Sequence, residues 1–131
     1  MSNNDLTNAA SPLRIASVPA GRQGGQIGIT FAPGKQQPLG LGGAHTRDLA
    51  ADLDVIAAWN VAAVITLVEL HELEALGIIE IGEEVRCRHM ERHRWPISDF
   101  GVPNKKFMQA WPERSAMVRR LLACGGRVLI H

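Results

Sequence analysis

Hydrophobic positions along the chain follow two periods, one of two residues and one close to four. In "QIGITFAPGKQ", Ile27, Ile29 and Phe31 alternate with other residues, which predicts a strand ended by Pro33-Gly34. "PLGLGGAH" reads as a loop with a very short strand. In "HTRDLAADLDVIAAWN", Leu49, Leu53, Ile56 and Ala57 share one face at helical spacing. Thr46 is positioned as the N-cap of that helix, and Asp48 suits the positive end of its dipole. "VAAVITLVE" is a continuous apolar run with β-branched residues, which predicts a central strand buried on both faces. "LHELEALGI" predicts a short helix ending at Gly77. "IIEIGEEV" reads as a further turn or a loop. "RCRHMERHRWPI" contains one or two strand-like pieces, and "SDFGVPN" is a loop fixed by Gly101 and Pro103. Asn104 to Ala123 is the strongest helix, with Phe107, Trp111, Met117, Val118, Leu121 and Leu122 as its apolar surface. Pro112 inside it predicts a kink or a boundary between two segments. Gly125-Gly126 then caps the helix, and Arg127 to Ile130 reads as a buried strand that delivers the chain to His131.

Alternation of strand and helix predicts an α/β fold with a largely parallel central sheet flanked by helices. In such sheets the ligand site lies at the C-terminal ends of the strands. Residues 1–25 are polar, glycine-rich and without period, and are read as a flexible N-terminal arm; residues 26–131 are the domain.

At 131 residues the chain is one domain at most. Its formal net charge of +1 provides no general attraction to nucleic acid or to an anionic membrane. Arg86, Arg88, Arg92 and Arg94 cluster, but Glu83, Glu84 and Glu91 sit among them, as on a mixed solvated face. Two cysteines do not make a disulfide framework. The first residues lack the pattern of a signal peptide, and the longest apolar run, Val61 to Val68, is too short to span a bilayer. A cytoplasmic location is the expectation.

Several motifs fail on inspection. "ITFAPGKQ" resembles a phosphate-binding loop, but Ile29 replaces its first glycine and Gln36 its Ser/Thr. "GLGGAH" has His45 where a dinucleotide fingerprint needs a glycine. Cys87, His89 and His93, with His71 as a fourth ligand, lack a recognised zinc spacing and read as exposed polar residues. Cys124 lies at the negative end of its helix, which disfavours a thiolate, and reads as a packing residue. Asp99 has more content. Pro96, Gly101 and Pro103 restrict the loop that carries it, which suits a carboxylate that must be aimed. An aspartate capping a turn would fit the same composition.

Taken in order, these pieces resemble the cysteine-dependent dual-specificity and tyrosine protein phosphatases, of the kinase-associated phosphatase type. "VLIH" after a helix and glycines is similar to the strand that leads into H-C-x-x-G-x-x-R. "WPISDFGVP" resembles the general-acid loop P-I-x-D-x-x-x-P. "IGITFAPGK", "TRDL" opening a helix and "VAAVITLVE" match the same family in the same order. The resemblance runs from about Gln26 to His131.

It implies a phosphatase acting on phosphotyrosine and/or phosphoserine/threonine in proteins, without cofactor or metal, through a cysteinyl-phosphate intermediate. Asp99 would be the general acid, and His131 the residue preceding the nucleophilic cysteine. His45, Thr46 and Arg47, at the mouth of the first helix, would line the site. The sequence departs from the pattern after His131, where the nucleophile, the phosphate loop and its arginine would follow. The domain is therefore expected to be incomplete at its C-terminus and inactive alone. The alternatives are a catalytically dead binding or scaffolding module, a non-functional fragment, or an unrelated small α/β binding protein.

Overall fold

The computed structural model describes residues 6–7, 12–37, 45–97 and 104–131. In chain order they form β1 (Leu6–Thr7), β2 (Ala16–Pro19), β3 (Gln26–Ile29), β4 (Gln36–Gln37), β5 (His45–Thr46), α1 (Leu49–Ala58), β6 (Val61–Thr66), α2 (Leu70–Ala75), α3 (Ile81–Cys87), β7 (Glu91–Arg94), α4 (Lys105–Ala123) and β8 (Arg127–Ile130).

Five strands make the main sheet, in the order β2-β3-β8-β6-β7. β3, β8, β6 and β7 run parallel, and β2 adds an antiparallel edge. The last strand in the chain is therefore central in space. Leu129 pairs with Gly28 on one side and Val64 on the other. This explains the apolar run from Val128 to Ile130, because a strand with neighbours on both edges and layers on both faces has no polar side. β1, β5 and β4 form a separate small sheet.

Side chains alternate across the sheet, so the two faces hold different cores. Val64 and Leu129 point to a layer made by α1, α2 and α3, with Leu53, Ile56, Leu73, Ile78, Ile81 and Val85. Ile65 and Val128 point to α4, where Trp95 and Leu122 complete a smaller cluster. The α/β class with a largely parallel sheet is what the sequence predicts.

Several local expectations change. Within the stretch read as an arm, Ala16–Pro19 forms a strand. Ala16–Pro19 pairs with Gln26–Ile29, and Leu13 is buried against the main core. A two-strand hairpin with a glycine-rich turn carries little hydrophobic period, so the composition of an arm and of this edge are alike. "IIEIGEEV" contains the helix α3, whose buried residues Ile81 and Val85 are one turn apart. The N-cap of α1 is Asp48, not Thr46: its carboxylate accepts from Ala51 N at 3.1 Å, while Thr46 lies in β5. Pro112 does not divide α4, which runs unbroken for 19 residues from its Asn104 cap. Cys124 is exposed rather than packed, because it is the C-cap residue and faces solvent.

The exit from α4 shows why the chain turns into β8. Gly125 N–H donates to Leu122 O at 3.0 Å and Gly126 N–H to Leu121 O at 2.8 Å. Gly125 takes φ +83°, a left-handed conformation that glycine adopts without penalty. Both bonds satisfy carbonyls that the helix end would otherwise leave orphaned.

Candidate active site

The C-terminal ends of β3, β8, β6 and β7 lie along one edge of the sheet, where a parallel α/β fold collects its functional groups. His131 stands at the centre of this edge, immediately after β8. Its backbone is tied into the sheet: N–H donates to Ile65 O at 3.1 Å, and O accepts from Leu67 N at 2.9 Å. Its ring continues the alternation of β8, on the same face as Leu129. There Nε2 lies 2.7 Å from Thr66 Oγ1.

The ring is buried, and Nδ1 has no hydrogen-bond partner among the described residues. Burial alone pushes the imidazole down to about 4, so His131 is neutral at physiological pH. A buried polar atom without a partner costs about 1–3 kcal/mol, and such atoms are rare enough to mark functional positions. Thr66, the partner of the His131 ring, was not among the residues singled out from the sequence. The available signal was a lone hydroxyl at the end of the apolar run "VAAVIT".

Asp99 lies outside the described residues. The segment that leads into it is held at the same edge. Trp95 N–H donates to Thr66 O and Ile97 N–H to Leu67 O, each at 2.8 Å. On the far side, Asn104 Oδ1 accepts from Phe107 N at 2.8 Å and starts α4. The loop carrying Asp99 thus springs from the strand end adjoining Thr66 and His131.

Arg47 does not line the site. It is 2% exposed, and it forms a two-pronged ion pair with Asp52, Nε to Oδ2 and Nη2 to Oδ1, both at 2.9 Å. Asp52 Oδ2 also accepts from Gly34 N at 2.8 Å. The guanidinium stacks on the Phe31 ring at 5.1 Å. A carboxylate that holds the Pro33-Gly34 turn and an arginine together is a clamp between β3, β5 and α1. The close fit requires glycine at position 34, which has φ +71° and lies against Leu49. The expectation that Arg47 lines the site fails because its Nε and Nη2 donors are turned to a buried carboxylate. The side chains of His45 and Thr46 lie outside the described residues.

Cys87, like Cys124, is exposed, and His93 Nε2 pairs with Glu91 Oε1 at 2.9 Å. Among the described residues, the metal-ligand atoms that lie within 4.8 Å of one another belong to Glu69, His71 and Glu72, not to Cys87, His89 and His93. No helix among the described residues is long and apolar enough to cross a membrane.

No protein-family model and no curated protein matches the sequence. Among solved structures, the fold is similar to that of kinase-associated phosphatase, determined with its catalytic-site cysteine substituted by serine. The TM-score is 0.78 at 17% identity, over 92% of this chain. The chain spans 65% of the length of that protein. It thus has the fold of a dual-specificity phosphatase.

Proposed function

We propose that this chain is the front part of a cysteine-dependent phosphatase domain of the dual-specificity type. The domain would hydrolyse phosphotyrosine and/or phosphoserine/threonine monoesters in proteins. The observation that carries this reading is His131: a neutral, buried imidazole at the end of the central strand, held by Thr66, with one ring nitrogen unpartnered among the described residues. The P-I-x-D-x-x-x-P loop, anchored to the neighbouring strand end, supports it.

In this chemistry a thiolate attacks phosphorus, the bond to the leaving oxygen breaks, and an acid protonates that oxygen. Water then hydrolyses the cysteinyl phosphate. Asp99 is the acid, a role worth about 10²–10⁴ in rate. His131 precedes the nucleophile and fixes the start of its loop. Neither cysteine of this sequence has an arginine six positions later, where His93 and Ile130 stand instead. Both also lie on helix ends away from the His131 edge. The 131-residue chain by itself therefore turns over no phosphomonoester. A reducing cytoplasm is the compartment that suits a thiolate enzyme.

The test is hydrolysis of an aryl phosphate by two proteins. The chain alone is expected to be silent. A chimaera continued past His131 by the segment of kinase-associated phosphatase that carries its catalytic-site cysteine is expected to turn over. Asp99→Asn in the chimaera should then lower kcat about 10²–10⁴-fold. A folded but inactive chimaera, or activity of the chain alone that disappears in Asp99→Ala, would contradict the proposal.

A second reading, a catalytically dead binding module, draws on the exposed apolar residues Ile29, Met108 and Trp111. An apolar surface of this kind favours association. A monodisperse, cooperatively folded monomer at high concentration would count against it.

A further inference from the structure

Most of the described arginines on the α1–α3 side are matched to carboxylates. Arg47 pairs with Asp52, Arg86 with Glu83, and Arg88 with both Asp54 and Glu84. Arg94, Lys106 and Arg114 are different. They line one groove of about 410 Å³ between the end of β7 and the N-terminal half of α4, and none of the three has an ion-pair partner among the described residues. Glu69, which also borders the groove, lies 3.3 Å from His71 Nδ1. Among the described residues, three cations thus line the groove with one carboxylate, and the positive end of the α4 dipole adds to them.

The groove is also built. The Arg114 guanidinium sits over the Trp95 ring at 5.3 Å and near the Phe107 ring at 5.8 Å. Stacking holds the plane of the group and leaves its edge N–H donors for a two-pronged contact with an oxyanion. Pro96 and Asn104, at the two ends of the loop that carries Asp99, form part of the groove's rim.

Resting on the phosphatase reading above, we infer that this groove binds a second anionic side chain of the substrate, acidic or phosphorylated, near the residue being dephosphorylated. The spacing decides how near. β8 and β7 are separated by β6 alone. At about 4.8 Å per strand, the groove is roughly 10 Å along the edge from the end of β8. An extended peptide advances about 3.3 Å per residue, so the second anion belongs about three positions from the phosphorylated one. The substrate class is therefore a phosphoprotein segment with a nearby acidic or phosphorylated residue.

The experiment titrates ¹⁵N-labelled chain with three peptides of equal length. One carries phosphotyrosine with glutamates three positions away on both sides. The second has alanines in place of the glutamates and unphosphorylated tyrosine, so that it carries no anionic side chain, and the third keeps the glutamates but also has unphosphorylated tyrosine. Resonances of Arg94, Lys106 and Arg114 should shift with both glutamate peptides and not with the alanine peptide. Lys106→Ala, on an exposed turn of α4, should weaken the binding about fivefold or more, as should Arg114→Ala, while Lys105→Ala should leave it unchanged. No shift at these residues with either glutamate peptide, or shifts indifferent to Lys106→Ala, would overturn the inference. The unphosphorylated glutamate peptide keeps the two ideas separable. It engages the groove whether or not the His131 edge serves a phosphatase, whereas failure of the phosphatase reading shows only in the turnover of the chimaera.

Discussion

On the face of the sheet covered by α1, α2 and α3, Leu53, Ile56, Leu73 and Ile78 are at most 2% exposed. On the α4 face Ile29, Met108 and Trp111 expose 58%, 52% and 42%. The first face is closed by three short helices and by a buried ion pair that ties a turn to a helix start. The second is covered by one long helix, and it leaves an apolar hollow of about 430 Å³ bordered by Trp95, Phe107, Trp111 and Val128. Burial is concentrated on the closed face. The features that look outward, the cationic groove and the exposed Ile29, Met108 and Trp111, belong to the α4 side. His131 sits where the two regimes meet, with its ring on the closed face and its backbone at the edge where the parallel strands end.

The sharpest way to break this contrast is at the clamp. Asp52→Ala leaves Arg47 buried without its carboxylate and Gly34 N–H without its acceptor. Removing one partner of a buried pair costs about 3–5 kcal/mol, and chemical denaturation should show a loss of that order. An unchanged midpoint would mean that the clamp carries no weight.

Next comes a matched pair of truncations. Leu53→Ala, in the closed core, should lose about 2–5 kcal/mol. Trp111→Ala should lose only about 1 kcal/mol, chiefly its stacking with Phe107 at 5.7 Å. Equal losses would erase the difference between the faces.

The pH dependence of stability probes the meeting point. His131 falls from 6.5 to about 4 on folding. A base whose pKa is lowered in the folded state binds its proton more readily when unfolded. Its burial therefore costs nothing extra above pH 6.5, and stability drops as pH falls from about 6.5 towards about 4. The full drop is roughly 3 kcal/mol at about 1.4 kcal/mol per unit. His131→Gln should flatten this part of the profile. A profile identical in the two proteins would remove His131 as its cause.

The sequence made the parallel layers readable because burial on two faces leaves an unmistakable mark. "VAAVIT" and "RVLI" contain no polar alternation, and both became strands flanked on each side. Leu53 and Ile56 were legible through helical spacing for the same reason. Edge structure was not. Ala16–Pro19 is exposed along its whole length, so it carries no hydrophobic signal of its own. Capping was ambiguous between Thr46 and Asp48 because either side chain can accept the same bond, and only backbone pairing removes Thr46 from the choice. The place of His131 at a strand end was legible through the strand that leads to it. Thr66 and the burial of Arg47 were not, because each depends on a partner distant in the fold or on a carboxylate on the next helix turn whose burial no local pattern reveals. The cationic groove was hidden in the same way: Arg94 and Arg114 are 20 positions apart in the chain.

The most direct measurement is the mass of the natural protein from its source cells, with tandem sequencing of the peptide that crosses His131. The account predicts a mass clearly above 14.3 kDa, with a cysteine directly after His131 and an arginine six residues beyond that cysteine. A protein of 14.3 kDa, or a continuation without that cysteine and arginine, would contradict it.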